Sequence, residues 1–164
     1  FDLTGGTFAK RGARADEMIG ILRKLWAGGW VEHHGEHFEF PRLEMTPVPS
    51  ERIPVYIGGV SDHALRRAAR NDGWISDLMS TDEAAQARIK IDSFREEQGA
   101  TGDFSMIVSL NDAWTVDHFR KAADVGVTDL LTMPWSYYGG FKLSLDEKLA
   151  GMKRFADEIL QHIS

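Results

Sequence analysis

Two glycines and a hydroxyl residue, in the run Gly58-Gly59-Val60-Ser61, separate a short β-rich segment from a helical one. At the C-terminal end of a parallel strand, the following helix presents unpaired backbone N–H groups, and such a turn is a ready site for phosphate or another anion. The glycines let the backbone approach an anion closely, Ser61 can cap the helix and bond a phosphate oxygen, and Arg66 and Arg67 would add positive potential nearby. Strand-to-helix turns also use these residue types for conformational reasons alone. The segment GGVSDH lacks the third glycine of the dinucleotide-binding G-x-G-x-x-G pattern. His33, His34 and His37 form a second group, with His33 and His37 four residues apart. Chelation at that spacing needs a helix, whereas the segment has the pattern of a hairpin around Gly35, so an exposed, partly charged loop is expected there and no metal site. The loop Trp135-Ser136-Tyr137-Tyr138-Gly139-Gly140 would suit a wall for a planar ring system, and equally core or interface packing. His63 and His118 lie near the starts of expected helices, where lone histidines are usually solvated, and no acid, base or nucleophile is assigned.

The elements that must position these residues follow from periodicity. Over residues 14–27, Met18, Ile21, Leu22, Leu25 and Trp26 share one helical face, and Asp16 and Glu17 are expected in the first turn. Gly28-Gly29 ends that helix, and residues 30–40 alternate loosely as an exposed hairpin. Four strand-then-helix units come next. Residues 53–57 form a strand and 62–70 a helix with Ser61 as N-cap; residues 73–76 form a second strand, and Ser80-Thr81-Asp82-Glu83 is a capping box that opens a helix facing inward through Ala84, Ala87, Ile91 and Phe94. Residues 104–110 are a third strand followed by a helix over 116–125, and residues 127–133 are a fourth. A second capping box, Ser144-Leu145-Asp146-Glu147, starts a last helix expected to face inward through Leu145, Leu149, Met152, Ala156 and Ile159. Such a series implies an α/β fold with a parallel sheet, either open or part of a closed barrel. A (β/α)8 barrel takes about 250 residues, so the 164 residues here suit half of one.

Composition narrows the function classes. With 19 basic against 25 acidic residues the formal charge is −6, which argues against a nucleic-acid footprint. The absence of cysteine excludes disulfides and thiolate metal clusters. No apolar run approaches the roughly 18 residues of a membrane span, so no membrane partner is expected and the expected compartment is the cytoplasm. Residues 1–6, FDLTGG, have the character of neither a natural start nor a signal peptide, and we expect a piece of a longer protein.

Three stretches carry a resemblance: RGARADEMIGILRKLW over 11–26, PVPSERIPVYIGG over 47–59 after the hairpin, and SDHALRRAARNDGW over 61–74. With them the chain resembles the luciferase-like monooxygenases, in particular the branch that uses the deazaflavin coenzyme F-420, and GVTDLLTMPW extends the likeness toward the last helix. The resemblance implies the C-terminal half of a (β/α)8 TIM barrel, with a helix and insertion hairpin over 1–50 and the fifth to eighth βα units over 51–164. It implies that Gly58, Gly59, Val60 and Ser61 hold the cofactor phosphate, with coenzyme F-420 favoured and FMN the alternative, and that the Arg66-Arg67 helix and Asp72-Gly73-Trp74 serve packing. The implied activity is that of a flavin- or deazaflavin-dependent oxidoreductase or monooxygenase acting on a small organic substrate, inactive as the half alone. The half would self-associate through the face that should meet the missing strands. A second reading is a non-catalytic half-barrel that binds cofactor or anion, or serves assembly. A third, an open sheet of flavodoxin or response-regulator type, requires a switch in strand order.

Overall fold

The chain forms two compact units, Phe1–Val55 and Tyr56–Ser164. The computed structural model describes residues 1, 3 and 8–163. In the first unit, helix α1 (Arg11–Trp26) precedes an antiparallel hairpin of β1 (Trp30–His34) and β2 (Glu39–Glu44), with Trp30 opposite Glu44 and His34 opposite Glu39. The helix begins three residues earlier than its apolar spacing predicts, on Lys10 in a left-handed conformation, so Asp16 and Glu17 lie beyond the first turn. Of the expected apolar face, Ile21 is buried and Met18 is exposed.

That displacement gives Glu17 a different task. Its carboxylate accepts hydrogen bonds from His33 Nε2 at 2.9 Å and from the backbone N–H groups of His37 at 3.0 Å and Phe38 at 2.9 Å, clasping the hairpin turn to the helix. The His33 bond, backed by the two N–H groups, holds the Glu17 carboxyl below the ordinary glutamate range against the opposing effect of its partial burial. A carboxyl depressed in the folded state contributes stability that is complete above its unfolded pKa and is lost as pH falls through the folded one. Amide protection factors at His37 and Phe38 should therefore fall on the acid side of the ordinary glutamate pKa. Glu17→Gln should remove that pH dependence; an unchanged acid transition in the variant would assign the loosening to another group.

The second unit carries β3 (Tyr56–Gly58), α2 (Asp62–Ala68), β4 (Gly73–Met79), α3 (Thr81–Glu97), β5 (Ser105–Leu110), α4 (Val116–Asp124), β6 (Asp129–Leu130), a single turn α5 (Ser136–Gly139) and α6 (Leu145–Phe155). A π-helical turn, Ala156–Leu160, and α7 (Gln161–Ile163) continue α6. Side-chain caps start the helices as their sequences dictate. Ser61 and Thr115 accept from the N–H three residues on, and both capping boxes, Ser80 with Glu83 and Ser144 with Glu147, are formed.

Strands β3-β4-β5-β6 are all parallel and lie in chain order. The order switch that an open doubly wound sheet requires is absent from these strands, and the α/β arrangement is compatible with half of a (β/α)8 barrel. One sheet face, with Trp74, Met106 and Val108 fully buried, packs on Leu65, Ala68, Ala84, Ile91, Phe119 and Phe155 of the helices. On the other face the register aligns Gly58, Ile75, Ile107 and Asp129. No residue of that row is buried.

Four expectations need correction. Strand β3 begins at Tyr56 because Pro54 has no N–H to give a ladder. Strand β4 runs on to Met79 through a bulge, since three steps from Ile75 to Leu78 oppose two from Ile107 to Ser109, which hides the alternation from the sequence. Strand β6 is regular only at Asp129–Leu130; just before it the Thr128 hydroxyl, accepting from Met106 N at 2.7 Å, takes a place in the ladder. Helix α6 faces inward through Gly151, Phe155 and Ile159, leaving Leu145, Leu149 and Met152 exposed. A Cβ at Gly151 would lie 2.7 Å from Trp135 Cα, so this helix docks by backbone approach, and Phe155 enters an aromatic cluster with Phe119 and Tyr137.

Candidate functional site

The Gly58-Gly59-Val60-Ser61 turn stands at the C-terminal end of β3, the end of a parallel strand where α/β proteins gather their ligands. Gly59 has φ 104°, a left-handed conformation that an L side chain rarely adopts, and a Cβ there would crowd Ala64 Cβ at 3.2 Å. Val60 and Ser61 are exposed. Ser61 Oγ accepts from Ala64 N at 3.3 Å, which leaves its own proton to donate outward. The buried Trp74 indole donates from Nε1 to the Gly59 carbonyl at 2.8 Å and turns that oxygen toward the core. Trp74, expected to serve packing, therefore also orients the turn.

Of the two cations expected beside the turn, Arg66 is committed elsewhere. Arg66 lies in the last turn of α2, pairs with Glu97 at 2.5 Å and stacks over Phe94 at 4.0 Å. Asp62 at the helix start pairs with Lys90 at 2.8 Å, and that hydrogen bond holds the Asp62 carboxyl below the ordinary aspartate range. An adjoining cavity of about 550 Å³ is lined by Val60, the acids Asp77, Asp82 and Glu83, and Lys90, which Asp62 engages. Backbone N–H groups and the Ser61 hydroxyl are thus the donors the turn offers to an anion.

A second cavity, about 410 Å³, opens at the C-terminal ends of β4, β5 and β6. It combines Leu78, which the bulge turns to the helix-free face beside Ser109, with Leu131 and the aromatic residues Trp114, Tyr137 and Phe141. Of the aromatic loop, Ser136 and Tyr137 line this cavity, while Tyr137 also packs on Phe155, so the loop serves both as a wall and as core. Between the two cavities Asp112 accepts from Thr81 N and from Thr81 Oγ1, both near 2.9 Å, and ties the start of α3 to the loop after β5. Neither the bulge nor the Asp112 bridge has a periodic signature in sequence; a tryptophan at a strand start beside glycine is the one local hint of the Trp74 contact.

Among the described residues no histidine borders either cavity. His33 engages Glu17, and His34 lies between Glu32 at 2.9 Å and Glu39 at 3.3 Å. The His37 Nε2 is buried with no hydrogen-bond partner among the described residues. The two carboxylates raise the His34 pKa. Nδ1 of His118 accepts from Trp114 N at 3.1 Å, and His63 is exposed on α2. Among the described residues no three His, Asp or Glu side chains converge as a metal site, and no helix is long and apolar enough to cross a membrane.

Comparison with known proteins gives this geometry its setting. An uncharacterized protein of Mycobacterium tuberculosis is 38% identical over 166 residues, covering 99% of this chain and 57% of that protein. The F420-dependent glucose-6-phosphate dehydrogenase of Mycolicibacterium gilvum is 30% identical over 157 residues, 93% of this chain and 45% of its own length. Pyrimidine monooxygenase RutA of Allorhizobium ampelinum is 30% identical over 117 residues, 68% of this chain and 32% of its own. The chain spans about half the length of the curated relatives it matches. Residues 1–139 match the family model of the luciferase-like monooxygenases, and with parallel βα units and a glycine turn at a strand's C-terminal end, the chain belongs to that family.

Proposed function

We propose that this chain supplies the fifth to eighth βα units of a (β/α)8 barrel oxidoreductase or monooxygenase, and that Gly58, Gly59, Val60 and Ser61 hold the phosphate of its cofactor. On this reading residues 1–50 are the helix and insertion hairpin, residues 51–164 the four units, and the chain alone does not turn over. The observation that carries the reading is the turn itself: a left-handed Gly59 beside an exposed Ser61 whose hydroxyl proton is available. The crowding a Cβ would meet at Gly59 makes a cradle that backbone alone can line. Coenzyme F-420 is the favoured cofactor and FMN the alternative. The F420-dependent relative aligns with 93% of the chain and the pyrimidine monooxygenase with 68%, which supports that order. When bound, either group supplies the hydride-transfer or oxygen-activating chemistry. The chain's own residues bind and orient: the turn's N–H groups and Ser61 hold phosphate, Trp74 keeps the Gly59 carbonyl away from it, and the uncharged cavity beyond β4–β6 excludes water around a small organic substrate.

The test compares FMN with riboflavin, which lacks the phosphate. A complete barrel should bind FMN at least about tenfold more tightly, since charge-assisted hydrogen bonds to phosphate supply well over 1.4 kcal/mol. Gly59→Val should erase that preference while riboflavin binding persists. A variant that keeps the full preference would sink the assignment. The second reading, a half-barrel that binds by itself, is favoured if the 164-residue chain alone shows the same preference.

The helix-free sheet face, with Tyr56, Ile75 and Ile107, and the exposed Leu145, Leu149 and Met152 of α6 support self-association of this chain. Light scattering tests it: a monodisperse monomer ends this part of the reading.

A further inference from the structure

The cavity beyond β4–β6 has an uncharged lining: among the described residues no Lys, Arg, His, Asp or Glu side chain borders it. Its floor and walls are Leu78, Leu131, Met133, Trp114, Tyr137 and Phe141. Trp114 and Tyr137 meet edge to face with ring centroids 5.0 Å apart, presenting a rigid aromatic corner. Its polar groups are mostly spent on the protein. Ser109 Oγ donates to the Leu131 carbonyl at 2.8 Å, Ser136 Oγ to the Met133 carbonyl at 2.8 Å, and Thr132 Oγ1 to the Tyr137 hydroxyl at 3.1 Å. Asn111 gives its backbone N–H to the Met79 carbonyl, while its carboxamide has no hydrogen-bond partner among the described residues. The Tyr137 hydroxyl, accepting from Thr132, keeps its own proton to donate.

From this lining we infer that the cavity is the substrate site and takes an uncharged, planar, largely apolar ring bearing one amide-like polar group, which pairs with the Asn111 carboxamide. An anionic substrate would surrender its hydration to a wall that offers no counter-charge, a cost that apolar contact does not return. A flat neutral ring instead buries its faces against Leu78, Leu131 and Met133 and its edge against Trp114, as small-molecule sites with few convergent polar groups do. That the occupant is a substrate rests on the barrel-oxidoreductase reading above; that it is neutral and planar rests on the part of the lining that this chain supplies.

Benzamide and benzoate make the test, being planar rings of nearly the same shape that differ by one charge. Titrated against the 164-residue chain and read by NMR at the Trp114 indole N–H and the Met133 methyl, benzamide should bind at least about tenfold more tightly than benzoate. Asn111→Ala should weaken benzamide by about threefold to tenfold, the value of one net hydrogen bond. Leu131→Lys should invert the preference, because Leu131 is 47% exposed and its replacement places a cation at the rim without emptying the core. Benzoate binding as well as benzamide to the unaltered chain, or benzamide moving neither signal, would overturn the inference; this arm needs no variant to fold. Neither probe carries a phosphate or reports on the Gly58–Ser61 turn. Failure of FMN to prefer that turn therefore leaves this result standing, and failure here leaves the turn standing.

Discussion

Trp74→Ala should destabilise the Tyr56–Ser164 unit by about 3–5 kcal/mol, the range for emptying a buried aromatic site and a large part of a domain's total stability. Trp74 is fully buried, in register between Ile57 of β3 and Met106 of β5, at the centre of the helix-facing core. Trp74→Phe should behave differently. The ring's bulk largely stays, and the lost indole N–H costs about 1 kcal/mol, because Gly59 is exposed and its carbonyl can regain water. What Phe cannot do is pin that carbonyl. The Phe variant should therefore show near-normal denaturant unfolding, faster amide exchange at Val60 and Ser61, and a reduced FMN-over-riboflavin preference. Unaltered exchange at those amides would mean that the turn holds its shape without the indole.

Gly73→Ala carries the second large effect. A Cβ at this position would lie 2.5 Å from the Ser105 carbonyl oxygen, 2.7 Å from Tyr56 Cδ1 and 3.0 Å from Ser105 Cβ. The Tyr56 ring can rotate away, but the Ser105 oxygen belongs to the backbone of β5 and cannot move without parting β4 from β5. Overpacking against fixed backbone costs about 3 kcal/mol or more, so the melting temperature should fall by roughly 10 °C. Gly58→Ala is the control, since its nearest contact would be 3.8 Å, an ordinary van der Waals distance. That variant should melt as the native chain does, and any loss of cofactor affinity it shows is then a binding effect. Equal melting of the Gly73 and Gly58 variants would contradict the packing described at the start of β4.

Legibility followed the range of the interaction. Ser80 with Glu83 and Ser144 with Glu147 are three residues apart, so the chemistry that starts α3 and α6 is written locally and was readable there. Alternation in β5 was equally plain, with Met106, Val108 and Leu110 on one buried face. The apolar spacing of α6 does not give its inward face, because backbone approach outweighs side-chain size there. Trp135 approaches so closely that the smallest residue, Gly151, had to face it, and Leu145 and Leu149 were left outside. Arg66 illustrates the same limit: its charge was visible, while the Glu97 and Phe94 that engage it lie about thirty residues away on another helix.

By itself the sequence determined the α/β series, the helix starts and the position of the Gly58–Ser61 turn, because periodicity, caps and glycine conformations are properties of a few neighbouring residues. Tertiary structure alone decided which groups meet. The Trp74 indole on the Gly59 carbonyl, the bulge that turns Leu78 beside Ser109, and the hairpin clasp of Glu17 each join residues from separate elements. Their distances are set when helices and strands pack, and no local pattern in the chain encodes them.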